Sequence, residues 1–110
     1  MRAALYIDCG SIKAEDIPYI YEEIRKTDDL VISKMFGVEM KDIAEIAERL
    51  RIQNNMHCGD DQTSALVALA VEVMADAVGE DVQKIYIATG NLAVLPLLDK
   101  LKLMRTNVVV

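Results

Sequence analysis

The chain has no tryptophan and a single phenylalanine, and aromatic residues make up only 5% of its 110 residues. Its interior must be built from Ile, Val, Leu, Ala and Met, and nothing offers an aromatic platform on which bases could stack. Cysteine is nearly absent as well. Cys9 and Cys58, with no CxxC, exclude a disulfide framework and read as structural or incidental thiols. Basic residues are outnumbered 12 to 18, giving a net charge of −6 and a pI near 4.7. That balance argues against a surface made for unspecific phosphate binding and disfavours free RNA as a partner. Long apolar runs are missing too: Ala65 to Val71 and Leu92 to Leu98 are seven residues each, against roughly 20 for a bilayer span. The N-terminus reaches Asp8 too soon for a signal peptide. A cytoplasmic protein with no membrane partner is expected, folded as one domain over 1–110.

What is present is an alternation of strand and helix signals. Ala3 to Ile7 is an apolar run stopping at Asp8-Cys9-Gly10-Ser11, a buried strand ending in a turn. Ile17, Ile20, Tyr21 and Ile24 form one helical stripe, with Asp16 as a cap and Pro18 in the first turn. Leu30 to Phe36 reads as a second strand closed by Gly37, and Ile43, Ile46, Ala47 and Leu50 as a second helix. Ile52 to His57 is a weaker third strand. From about Thr63 to Val78 the chain is apolar nearly all round, so a helix covered on most sides is expected, capped by Asp61 or Thr63. Lys84 to Ala88 is a fourth strand, Thr89-Gly90-Asn91 a turn, Pro96 to Leu101 part of a helix, and Val108 to Val110 a fifth strand. Strands without in/out alternation, separated by helices, predict a three-layer α/β/α domain. Its mostly parallel five-stranded sheet should run in the order 3-2-1-4-5 or close to it.

In such sheets ligands bind at the carboxyl ends of the strands near a topological switch point, which singles out the turns after the first and fourth strands. Asp8, Ser11, Thr89, Gly90 and Asn91 lie there. Both turns pair a polar side chain with Gly10 or Gly90, suited to close backbone approach or positive φ; ordinary strand-to-helix turns ask for the same residue types. A second cluster, His57-Cys58 with Asp60 and Asp61, invites zinc but lacks the ligand spacing of structural zinc sites and reads better as a polar loop. A haloacid-dehalogenase-like phosphatase would need a second acid where Gly10 stands. A receiver domain would need an acid where His57-Cys58 stand.

At these turns the sequence resembles the NYN branch of the PIN-like nucleases, the group with LabA-like and limkain-type domains. Ile7-Asp8-Cys9-Gly10-Ser11 stands for the family's opening Ile-Asp-Gly-x-Asn. Thr63 to Glu72 stands for Lys-x-x-Asp-x-x-Leu-x-x-Asp, and Thr89-Gly90-Asn91-Leu92-Ala93-Val94 for Ser-Gly-Asp-Ser-Asp-Phe, followed by Leu95-Pro96-Leu97. The resemblance implies a PIN-like fold in which acids from three places hold Mg²⁺ or Mn²⁺ and activate water on a phosphodiester. Carried over residue by residue, the catalytic candidates are Asp8, Glu72 and Asn91, with Asp8 as the metal ligand and Ser11, Thr89 and Gly90 as nucleic-acid or ligand contacts.

The departures matter more than the match. Leu66, Asn91 and Ala93 stand where the family has acids, and clustered carboxylates are what a divalent ion requires. The sequence therefore points to a degenerate, non-hydrolytic domain with no cofactor, working through a protein partner, self-association or an RNA-associated complex. The family commonly continues past its fifth strand into another helix, and a sheet flank without one is expected to be open to a partner. The alternative is a Mg²⁺- or Mn²⁺-dependent ribonuclease whose reduced acid set is completed by Asp60, Asp61 or a second subunit. Glu72 itself has two readings: a surviving acid at the crevice, or, with Asp76, the wet stripe of the long helix.

Overall fold

A computed structural model of the chain describes residues 2–37, 41–55, 61–79, 82–91, 94–103 and 107–109. Strands β1 (Arg2–Asp8), β2 (Asp29–Phe36), β4 (Lys84–Ala88) and β5 (Asn107–Val109) alternate with helices α1 (Ile17–Arg25), α2 (Lys41–Leu50), α3 (Gln62–Gly79) and α4 (Leu95–Leu103). All the described pairings are parallel. The order β2-β1-β4-β5 is extended at one edge by β3 (Gln53–Asn54). Of the weaker third strand expected over Ile52 to His57, the described residues carry only this two-residue pairing to Lys34 and Met35, so the sheet consists of four strands with a short pairing at its edge. His57, Cys58 and Asp60 lie outside the described residues, as do Leu92, Ala93 and Val110.

Alternation along β1 sorts its side chains onto two cores. Leu5 and Ile7 pack with Ile17, Ile24, Ile43 and Ala47 of α1 and α2. Ala4 and Tyr6 pack on the other face with Leu69 and Val73 of α3 and Leu97, Leu98 and Leu101 of α4. All four are buried because β1 lies at the centre with helices on both sides. That arrangement is a three-layer α/β/α sandwich.

Local chemistry sets the element ends. Ahead of α1, residues Ala14–Asp16 form a single 3₁₀ turn; Asp16 occupies the cap position with helical backbone angles and makes no capping hydrogen bond. The cap of α3 is Asp61, whose Oδ1 accepts from the Ser64 amide at 2.8 Å, so the expected alternative, Thr63, is already inside the helix. After α2, Arg51 takes φ 59°. Its amide bonds Glu48 O, and the Ile52 amide bonds Ala47 O at 2.9 Å, which is the pair of bonds that defines a Schellman end.

The expectation for α3 is corrected by the structure. Ala65, Leu69 and Val73 are buried against the sheet, but Val67, Val71 and Val78 are 58%, 62% and 74% exposed. One helix face meets the sheet and the opposite face is bare, so all-round apolarity does not translate into all-round cover. Uninterrupted runs also understate α3, which alone among the described helices is long and apolar enough to cross a membrane by length and composition.

Candidate functional site

Asp8 ends β1 at the carboxyl edge of the sheet, and its register with Phe36 places it at the centre of that edge. The chain turns at once: the amides of Ser11 and Ile12 both bond Asp8 O at 3.1 Å. The same turn swings the Ser11 hydroxyl back onto the Asp8 carboxylate, where it donates to Oδ2 at 2.9 Å. Thr89, just past β4, donates to the same oxygen at 2.7 Å. Oδ1 accepts from the Gly10 amide at 3.0 Å and from Gln62 Nε2, the first residue of α3, at 2.5 Å.

These four bonds account for the whole acceptor capacity of an ionised carboxylate, about four lone-pair sites. Asp8 is 1% exposed, so no water competes for them. The hydroxyls are used in both directions: Ser11 Oγ accepts from the Gly90 amide at 2.9 Å and Thr89 Oγ1 from the Asn91 amide at 3.1 Å. The two hydroxyl oxygens lie 3.3 Å apart with their protons directed to Asp8. Asp8 thus ties together the turn after β1, the turn after β4 and the start of α3.

The structure therefore brings Asp8, Ser11, Thr89, Gly90 and Asn91 together, as the topological argument expects. It does not bring Glu72 to them. Lys34 of β2 reaches across to α3 and holds Glu72 Oε2 at 3.1 Å and Asp76 Oδ2 at 2.8 Å. The Tyr6 hydroxyl also donates to Asp76 Oδ2, at 2.8 Å. Glu72 lies ten residues beyond Gln62, about 15 Å down the helix axis. Lys34 pairs with Tyr6, two residues before Asp8 in β1. Burial pulls the Lys34 pKa down, and the hydrogen bonds to Asp76 and Glu72 outweigh it, leaving the ammonium above its ordinary value.

The roles expected of the glycines change as well. A Cβ on Gly10 would collide with the Gln62 side chain, while one on Gly90 would meet only Ser11 Cβ at an ordinary 3.8 Å. Neither glycine adopts the left-handed φ that the sequence allowed for. Cys9, between Asp8 and Gly10, is half-buried; burial and the neighbouring Asp8 charge push its thiol up to about 12, against a smaller opposing effect of the Phe36 backbone.

Beside the turn lies a cleft of about 310 Å³ between the start of α3 and the start of α4, lined by Thr63, Leu66, Ala70, Asn91, Val94 and Leu97. Leu66 and Asn91, two of the positions where the resemblance expects acids, face this one cleft, and its walls are mostly apolar. Mg²⁺ or Mn²⁺, which the resemblance implies, needs several oxygen ligands with open lone pairs. The described residues do not fit such an ion: Asp8 is saturated, Glu72 is bound to Lys34, and Leu66 offers no oxygen. Among the described residues no group of three His, Cys, Asp or Glu could hold a metal.

Two participants escaped sequence reasoning. Gln62 precedes Leu66 by one helical turn, so reading that face of α3 upward would have found it. Lys34 is the one charge in the interior of β2, and the i, i+4 pair Glu72 and Asp76 on an apolar helix is its complement. Comparison with family models, with curated proteins and with solved structures gives no match.

Proposed function

We propose that the chain is a degenerate NYN/PIN-like domain that works by binding, through a protein partner, itself or an RNA-associated complex, and not by metal-dependent hydrolysis. The observation that carries this reading is the saturation of Asp8, the one acid at the carboxyl edge of the described sheet that matches the family motif. Both of its oxygens already accept two hydrogen bonds out of solvent, and water activation needs a carboxylate that can turn to a metal or a proton. The apolar cleft beside Asn91 supports the same reading, since it offers shape and hydrocarbon where a nuclease offers charge.

The test is cleavage of a single-stranded RNA in Mn²⁺, with Asp8→Ala as the control. The proposal expects no turnover above that of the variant; Mn²⁺-dependent cleavage that the substitution abolishes would overturn it and establish the ribonuclease.

A further inference from the structure

The amino edge of the sheet carries a pocket that Asp8 and its partners do not reach. Asp29, the first residue of β2, pairs with Arg2 at the start of β1, about 20 Å along that strand from Asp8. Between Asp29 and the ends of α1 and α2 lies a pocket of about 490 Å³, lined in part by Arg25, Arg49, Arg51, Tyr21, Asp29 and Leu30. The chain has more lysines than arginines, yet the three basic residues on this pocket are all arginine.

Ordinary helix ends account for two of them, since Arg25 and Arg49 lie in the last turns of α1 and α2 and suit the negative ends of those helices. Arg51 has no such reason. It stands past α2 at φ 59°, in the region where glycine is free of the Cβ penalty, and backbone strain of this kind gathers at functional positions. The exposed side chains of Arg49 and Arg51 make no ion pair among the described residues. The last helix carbonyls, which would oppose an anion, are already bonded: Glu48 O and Ala47 O by the amides of Arg51 and Ile52, and Ile24 O by those of Thr27 and Asp28.

Charge sets the ligand class. Of the two acids on the pocket, Asp28 accepts from the Tyr86 and Thr27 hydroxyls and pairs with Lys84 at 3.6 Å, which balances it. Three guanidiniums against Asp29 leave an excess of two positive charges, which matches the dianion of one phosphate monoester. The planar fork of arginine meets phosphate oxygens in pairs, as the point charge of lysine does not. A nucleic acid suits the pocket less well. Its repeating phosphates ask for a row of positive charge, whereas exposed Glu22 and Glu48 stand beside these arginines in sequence and the net charge of −6 repels a polyanion.

We infer that Arg25, Arg49 and Arg51 form a binding site for the phosphate group of a small phosphate monoester. The site lies at the opposite edge of the sheet from Asp8 and goes beyond the reading of the domain as a binding module, so the RNA-cleavage result leaves it untouched.

An NMR titration of the isotope-labelled full chain with glycerol 2-phosphate at pH 8, with ionic strength held constant by sodium chloride, tests it. The amides of residues 25, 29–30 and 49–52 should shift together with Kd of about 1 mM, and inorganic phosphate should move the same signals. Affinity should fall severalfold between pH 8 and pH 5, as the ester takes up its second proton near about pH 6. Arg51→Gly, whose backbone suits the turn, and Arg49→Gln should each weaken binding about fivefold. Arg51→Lys should weaken it about threefold, since the charge survives and the fork does not. The absence of a saturable shift at these residues up to about 20 mM ester would overturn the proposal, as would a shift indifferent to all three substitutions. A single-stranded RNA that binds the same arginines at least tenfold more tightly per phosphate than the ester would also overturn it, in favour of a nucleic-acid contact.

Discussion

The Thr89 hydroxyl donates to Oδ2 of Asp8 at 2.7 Å, joining the end of β4 to the end of β1. Because the same oxygen also accepts from Ser11, and Oδ1 from Gly10 and Gln62, the carboxylate acts as a tie between three segments distant in sequence. Removing it takes the acceptor from four donors, two on the half-buried Gln62 and Thr89 and two on the exposed Gly10 and Ser11. Asp8→Ala should lower unfolding free energy by about 3 kcal/mol and Thr89→Val by about 1–2 kcal/mol. Urea denaturation checks both; an Asp8→Ala protein as stable as wild type would show that the tie carries no weight.

Lys34 gives a pH-dependent prediction. Its folded pKa is raised above the ordinary 10.5, so the folded state holds this proton more tightly than the unfolded chain. The resulting stability is complete below about pH 10 and is lost as pH rises through the folded value. Lys34→Met should cost about 2–3 kcal/mol at pH 8, since it strands Asp76 and Glu72 against the sheet. The gap between variant and wild type should narrow above pH 10.5. Urea midpoints across that range are the measurement, and a gap that widens with pH contradicts the assignment.

Arg51 sits at φ 59° at a Schellman end, where glycine is free of the Cβ penalty. Arg51→Gly should therefore stabilise the protein by about 0.5–1 kcal/mol, against the usual direction of a glycine substitution. A thermal scan showing a lower Tm would mean that the arginine side chain contributes more than the backbone strain removes.

Cys9 should be an inert thiol. With its pKa at about 12, almost none of it is thiolate at pH 8, and the thiolate is the nucleophile. In a Cys58→Ser background, iodoacetamide should alkylate the native protein at least tenfold more slowly than the urea-unfolded chain. Equal rates would place Cys9 in a less buried setting than the one described.

The alternation of helices and strands was legible where the apolar period was clear: Ile17, Ile20, Tyr21 and Ile24 form a helix face, and Lys84 to Ala88 has the length and branching of a strand. The two turns were legible from topology alone, since a parallel sheet leaves its strand ends as the natural site. What escaped was pairing. Nothing in the local sequence says that Glu72 will meet Lys34, 38 residues earlier, instead of Asp8, because that depends on how far down the sheet α3 runs. The bare face of α3 escaped for a related reason: apolarity shows that a residue tolerates burial, while cover depends on how many neighbours the fold supplies.

Mn²⁺ binding followed by electron paramagnetic resonance separates the proposed role of Asp8, a structural tie, from that of a metal ligand. With all four acceptor sites of the carboxylate filled, free Mn²⁺ should bind with Kd of about 1 mM or weaker, and Asp8→Ala should not change that value. A site with Kd of about 10 µM or tighter in the wild type, lost in Asp8→Ala, would make Asp8 a metal ligand and favour the metal-dependent ribonuclease.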